Sequence, residues 1–247
     1  MEADAPIFFL AYILIFFLAI LFRYFVAAGF FYYYYYVWKQ EEFRSRRLSS
    51  RPPKKDQFKK EIIWSIKSSA IFAFFGALLY WLWQNDLTAI YLNVTEYPLW
   101  YLPVSLVLIL LLHETYYYWV HRWMHSPKIF RKVHKVHHDS HTPTPWTAFS
   151  FHPWESLLEA LILPVLLLFI PVSVYVLGFY LVIMTVSSVV NHLDIEVYPQ
   201  GFQKSKIGRL FIGATHHQLH HKEYLTNYGL YFTFWDKWMS TESKEMK

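Results

Sequence analysis

Long apolar stretches separated by short polar segments dominate the chain. The first covers residues 7–38, with Arg23 as its one charged residue. It is long enough to cross the hydrocarbon core of a bilayer, which is about 30 Å thick. Three more apolar stretches follow, at residues 68–83, 97–112 and 157–190. The last is too long for a single span, so we expect a hairpin of two helices there, with Pro164 and Pro171 at kinks or turns.

This pattern predicts an all-α protein, an integral membrane helical bundle of four to five spanning segments with a cytoplasmic, His-rich, metal-binding helical cap. We expect residues 1–120 to hold transmembrane helices and a basic loop at 39–67. Residues 121–247 then form the His-rich catalytic region, which includes the membrane hairpin at about 157–190.

The distribution of charge predicts the orientation. Residues 39–67 carry ten basic and four acidic residues, whereas the amino terminus carries only Glu2 and Asp4. The positive-inside rule therefore places the basic loop in the cytoplasm, and counting crossings places the His-rich segments there as well. We expect a multi-pass protein of the endoplasmic reticulum in a eukaryote, or of the inner or plasma membrane in a bacterium.

Composition supports a membrane protein and excludes several kinds of site. Of 247 residues, 55% are hydrophobic, 21% aromatic and 17% charged, against about 25% charged in typical soluble domains. The absence of cysteine excludes disulfides, thiolate zinc sites, cysteine nucleophiles and Cys-ligated iron–sulfur clusters. Basic runs beside apolar spans usually set topology or contact anionic lipid, so no nucleic-acid partner is expected.

Histidine is concentrated in three short clusters. The pattern H-x-x-H-H occurs at residues 134–138 and again at 217–221, and His121 and His125 form a pair upstream. On a helix, positions i, i+3 and i+4 share a face, so each cluster should aim two or three imidazoles in one direction. Imidazole is a common ligand of iron, zinc, copper and nickel. Eight such ligands exceed the need of one tetrahedral zinc and suit two metal ions.

Other residues near the clusters are weaker candidates. His192 follows the hairpin and could be a ninth ligand, although a helix-end histidine bonded to backbone is equally consistent. His152 is a candidate ligand-supporting or substrate-facing group. A carboxylate at Glu114, Glu155 or Glu159 could orient a ligand imidazole, with helix capping as the default role.

Two other classes of function stay open at this point. A zinc-dependent membrane hydrolase would need a glutamate base, as in H-E-x-x-H, and only His113-Glu114 begins that motif. A metal transporter would place ligands along a path near the bilayer midplane. The histidine clusters instead fall in segments predicted to be cytoplasmic.

Two stretches resemble the fatty acid hydroxylase/sterol desaturase superfamily of membrane non-haem di-iron oxidases. They are YYYWVHRWMHSPKIFRKVHKVHHDSHTPTPWTAFSFHPWE and HHQLHHKEYLTNYGLYFTFWDKWMST, and together the resemblance covers about residues 112–241. The PTP…FHP flank and the NYGLYFTFWD tail are most similar to the sterol C5-desaturase branch. Glu196 stands where some members carry a further histidine.

The resemblance implies two iron ions, with O2 as co-substrate, and oxidation of an unactivated C–H position of a membrane lipid to an alkene or alcohol. It implies the metal ligands His121, His125, His134, His137, His138, His192, His217, His220 and His221, with no catalytic residue beyond them. A fatty acid, sphingolipid or carotenoid hydroxylase is the alternative within the superfamily. Because the chain has no G-x-G-x-x-G motif, electrons should come from an external donor such as cytochrome b5 or a ferredoxin with its reductase.

Overall fold

The computed structural model describes residues 5–246, so Glu2 and Asp4 lie outside the described residues. Five long helices make up nearly half of it: α1 (Ala5–Tyr32), α3 (Gln57–Gln84), α4 (Tyr101–Met124), α7 (Pro153–Phe169) and α8 (Val174–Asn191). Shorter helices lie in the polar segments: α2 (Gln40–Phe43), α5 (Pro127–Val133), α6 (Lys135–His138), α9 (Ala214–Glu223) and α10 (Phe234–Trp238). The protein is therefore mostly helical, as the sequence predicts.

The long helices close into a ring. Helix α1 packs against α3 and α8, α3 also packs against α7, and α4 lies between α7 and α8. A 3₁₀ segment, Pro145–Phe149, inserts against α1, α3 and α8, where Tyr24 stacks on Phe149. Although α7 and α8 are consecutive and turn at Pro171, α7 packs mainly against α3 and α8 mainly against α1, and both also contact α4 more than they contact each other.

Three described helices are long and apolar enough to cross a membrane: Ile7–Trp38, Gln57–Gln84 and Val174–Asn191. The first includes the wider helical turns Tyr33–Trp38 that continue α1. Helix α4 does not meet the same criteria because its second half carries charged and histidine side chains, and α7 has only 17 residues. These three candidate spans are fewer than the predicted four to five, and α4 and α7 are the next most apolar long helices.

A short parallel strand pair ties the ring together at the turn between α7 and α8. Strand β1 (Ile90–Tyr91) pairs with β2 (Val172–Ser173), in the register Ile90 to Val172 and Tyr91 to Ser173. Val172 is buried in the apolar cluster that also contains Ile109 of α4 and Leu167 of α7. This contact fixes one end of the bundle, away from the histidine clusters.

Helix α3 begins earlier than the apolar pattern predicts, so the last part of the predicted loop 39–67 is helical. The reason is Glu61, a fully buried carboxylate that binds the loop following the second histidine cluster. It accepts hydrogen bonds of 2.6–2.8 Å from Gln57 Nε2, Ser140 Oγ, Thr144 Oγ1 and Thr147 Oγ1. Four donors compensate this carboxylate for its loss of water, so a polar turn can be buried.

We expect Glu61→Ala to destabilise the protein by about 3 kcal/mol, because four buried donors lose their acceptor. Thermal unfolding of the purified protein in detergent measures this as a Tm lower by several degrees. Glu41→Ala is the matched control, since Glu41 is exposed and its one ion pair in the described chain is with Arg44 on the surface. An equal Tm for the two variants would contradict the structural role of Glu61.

Candidate metal centre

Nine buried histidines gather into two adjacent groups. One group contains His121, His125, His134, His138 and His220, and the other contains His137, His192, His217 and His221. Within each group the candidate ligand atoms lie within 4.8 Å of one another. None of the nine side chains is more than 7% exposed. The structure therefore brings all nine histidines identified in the sequence together, including His192.

The two H-x-x-H-H clusters each contribute to both groups. In the second cluster, the i and i+4 residues His134 and His138 join the five-histidine group, and His137 turns to the other. In the third cluster the assignment is reversed, with His217 and His221 in the four-histidine group and His220 in the five-histidine group. Two imidazoles of each cluster, the i and i+4 residues, thus aim at one centre, in agreement with the prediction of two or three, while the i+3 residue of the second and third clusters faces the other centre. Position i+3 is rotated about 60° from i on a helix, enough to face a different centre when two centres are adjacent.

The two groups touch each other through imidazole rings. The ring centroids of His138 and His221 are 4.6 Å apart, and those of His134 and His137 are 5.2 Å apart. Each pair has one member in each group. The groups therefore form one continuous histidine-lined site with two centres.

Distances between Nε2 atoms fit binding to a shared ion. Five pairs of Nε2 atoms are separated by 2.9–3.2 Å: His121 and His134, His138 and His220, His137 and His192, His192 and His217, and His217 and His221. Imidazole nitrogens bind a first-row metal at about 2.1 Å, so two nitrogens at right angles around one ion lie about 3.0 Å apart. In the four-histidine group, the four Nε2 atoms form a continuous chain of such contacts. Hydrogen bonds between these nitrogens would explain the chain less well than a shared metal ion does.

Oxygen acceptors fix the orientation of four of these rings from the other side. In each, the Nδ1–H donates to an oxygen 2.7–2.8 Å away: His121 to Tyr228 O, His134 to Glu155 Oε1, His192 to Ser188 O, and His220 to Thr226 O. A carbonyl or carboxylate can only accept, so the proton lies on Nδ1 and Nε2 has a free lone pair. This is the tautomer that a metal ligand requires.

Burial keeps the imidazoles neutral. It lowers the pKa of His138, His220 and His221 well below the usual range, and neighbouring imidazoles lower it further. His125 also buries an Nε2 atom that has no hydrogen-bond partner among the described residues. Neutral rings with free nitrogens aimed at common centres are the donor set that a pair of transition-metal ions needs, so the residues present fit such ions.

The carboxyl-terminal tail holds the five-histidine group in place. Asn227 lies in the left-handed region at φ 59°, which asparagine tolerates, and its side chain binds His216 O and Ser243 N. This places the Tyr228 carbonyl against His121. A Cβ on Gly229 would lie 2.9 Å from Glu114 Oε1, so only glycine fits there.

Two buried carboxylates bind the backbone amides of this tail. Glu114 accepts from the amides of Leu230, Tyr231 and Phe232, the shortest being 2.7 Å from Tyr231. Asp236 accepts from the amides of Tyr228 and Gly229 at 2.9 and 3.0 Å. Glu114, a sequence candidate for orienting an imidazole, thus acts on the tail and not on a ring.

The remaining candidates lie outside the two groups. His152 Nδ1 accepts from the amide of Trp154 and caps α7. Glu196 accepts from the amide and hydroxyl of Thr215 at the start of α9. Of the three glutamates proposed to orient an imidazole, Glu155 alone does so.

The supporting carbonyls of Tyr228, Thr226 and Ser188 were not predicted, because every residue has a carbonyl and the sequence does not indicate which carbonyl accepts a hydrogen bond from an imidazole.

A bundle with apolar outer helices and a buried nine-histidine site defines a membrane protein with metal-binding groups. The chain belongs to the fatty acid hydroxylase family, whose sequence profile matches residues 106–241. It is accordingly an oxygen-using oxidoreductase, as the motifs predict.

Curated relatives point to the sterol-modifying branch of this family. The chain is 32% identical to lathosterol oxidase of Mus musculus over 92% of its own length and 70% of the relative. It is 29% identical to human lathosterol oxidase over the same shares. A Delta(7)-sterol 5(6)-desaturase of Gibberella zeae is 29% identical over 64% of this chain and 47% of the relative. No solved structure gives a significant match.

Proposed function

We propose that the protein uses two iron ions and O2 to oxidise an unactivated C–H position of a membrane lipid. The reaction we propose is that of a sterol desaturase. The observation that carries the proposal is the pair of adjacent, buried groups of five and four histidines. The similarity to lathosterol oxidase and to a sterol desaturase supports the substrate class.

The nine histidines are the proposed iron ligands, five for one ion and four for the other. Iron bound there would supply the oxygen activation that C–H oxidation requires. The chain itself orients the ligands, through Glu155 and the carbonyls on Nδ1, and keeps bulk water away from the site by burial. Neutral ligands leave the charge of the metal pair uncompensated, which favours binding of oxygen-derived anions.

We further propose that α4 and α7 complete a five-helix membrane bundle, with the metal centre at its cytoplasmic side. Residues 1–120 are then the membrane part with its basic segment, and residues 121–247 the catalytic part. His121 lies on the last turn of α4, so a lipid could reach the centre from the bilayer with its apolar part among the helices. The electrons come from an external protein donor such as cytochrome b5 or a ferredoxin.

The hydrolase and transporter alternatives receive no support from the site. Every member of both groups is a histidine, so within the described residues no carboxylate belongs to either group. The side chain of Glu155 is directed instead to His134 Nδ1. Within the family, a fatty acid, sphingolipid or carotenoid hydroxylase is the remaining alternative.

We expect lipid oxidation to stop completely when O2 is removed, because hydrolysis and transport do not consume O2 and this oxidation does. Lipid extracts of cells with and without the chain, compared by mass spectrometry, should show a lipid that has lost two hydrogen atoms. Gain of one oxygen atom would indicate a hydroxylase instead. Product formation at an unchanged rate under anaerobic conditions, with a donor present, would contradict the proposal.

A further inference from the structure

One open pocket leads from the surface to the five-histidine group. It has a volume of about 340 Å³ and is lined by His125, Pro127, Phe130, Arg131, Tyr224 and Leu225. We call these six residues the His125 pocket. At 7%, His125 is the most exposed of the nine histidines. The pocket therefore opens onto the most exposed histidine of the site.

Aromatic rings fill the short distance between the pocket and the imidazoles. The Tyr224 ring stacks on His138 at 4.7 Å between centroids, and the Phe130 ring lies 5.3 Å from that of His125. Tyr224 has a left-handed backbone at φ 67°. Such a conformation is costly for an aromatic residue and persists where the surrounding structure imposes it. These packed rings keep solvent from the imidazoles, while the distance from the pocket to the imidazoles stays short.

The surface beside the pocket is strongly basic. Lys128, Arg131 and Lys132 are exposed on α5, where i, i+3 and i+4 spacing places them on one face. Residues 126–135 contain no acid. In the described chain, the nearby Lys135 is paired with Asp139, whereas these three cations have no acidic partner.

One acid, Glu223, lies next to Tyr224, and hydroxyl groups of the carboxyl-terminal tail fix its orientation. The Glu223 carboxylate accepts hydrogen bonds from Thr226 Oγ1 and Ser243 Oγ. The exposed apolar side chain of Leu225 lies within the basic surface. A small apolar contact surrounded by cations is typical of a transient interface steered by charge.

We propose that the His125 pocket and the α5 cations form the docking site of an acidic one-electron carrier protein. This inference rests on the proposed function, which needs an external electron donor. The carrier places its redox centre over Tyr224 and His125, where the pocket opens onto the five-histidine group, and the four-histidine group receives electrons through that group. Anionic lipid is disfavoured as the occupant because it does not account for the pocket over the ligands.

The test measures docking directly, independently of turnover. The protein in nanodiscs of zwitterionic lipid is titrated with cytochrome b5 as the acidic probe, and binding is followed at low and at high salt. We expect K128E/R131E to weaken binding about tenfold or more at low salt, and the difference to shrink at high salt through screening. The matched control is K206E/R209E, which reverses two exposed cations outside the pocket.

The possible results separate this inference from the proposed function. Equal binding by wild type and K128E/R131E, or an equal loss in K206E/R209E, would overturn the docking site. A difference that appears only in discs containing anionic lipid would overturn it too, and would assign the surface to lipid. Selective loss in K128E/R131E supports it, and metal content measured in the same samples shows that the centre is intact. If wild type binds the carrier yet oxidises no lipid, the proposed function fails while the docking site stands.

Discussion

His137→Ala and His220→Ala are each expected to abolish lipid oxidation while the helical fold persists. The two residues represent different centres, His137 the four-histidine group and His220 the five-histidine group. Removing a ligand should lower turnover by more than the roughly 10- to 100-fold typical of losing a ligand's supporting partner. Metal analysis of the purified variants, together with circular dichroism, separates loss of an ion from loss of fold.

The two variants should differ in metal content. His137→Ala leaves three imidazoles around its centre and His220→Ala leaves four around the other, so we expect the first to lose its ion more readily. His141→Ala is the matched control, since His141 is exposed and lies outside both groups. Full turnover by both ligand variants would remove these two residues from the ligand set.

Glu155→Ala is expected to weaken metal binding or turnover by about 10- to 100-fold. Its Oε1 accepts from His134 Nδ1–H at 2.7 Å, and both side chains are almost fully buried. Without this acceptor the His134 ring can rotate or exchange its tautomer, and its Nε2 is no longer held toward the His121 nitrogen. Competition with a chelator, followed as ions retained per protein, measures the effect.

A conservative variant tests whether Glu155 acts through His134. Glu155→Gln keeps an acceptor oxygen and loses the charge, so its ion retention should fall between those of wild type and the alanine variant. Glu159→Gln is the control one helical turn away, because Glu159 has no hydrogen bond to an imidazole in the described structure, and it should retain metal as wild type does. Equal ion retention by wild type and Glu155→Ala would show that the contact does not support the centre.

Much of the architecture could be predicted from the apolar pattern. The long stretches became α1, α3, α4, α7 and α8, and the break at Pro171 separates α7 from α8. The start of α3 was not predictable in this way, because its first turns are polar and are stabilised by Glu61 contacts from residues 140–147. The order in which the helices pack around the ring could not be predicted either, because an apolar helix surface does not specify which other helix it contacts.

The sequence by itself indicated eight of the nine imidazoles that meet, because residue type and i, i+3, i+4 spacing are local properties of the chain, whereas His192 lies outside the clusters and was brought to the site only by the fold. Only the tertiary structure decided how the nine divide between two centres. The direction of an imidazole depends on what its second nitrogen contacts, and His121 reaches the Tyr228 carbonyl, 107 residues further along. A contact of that kind exists only after folding has brought the tail against α4, so no local pattern could have specified it.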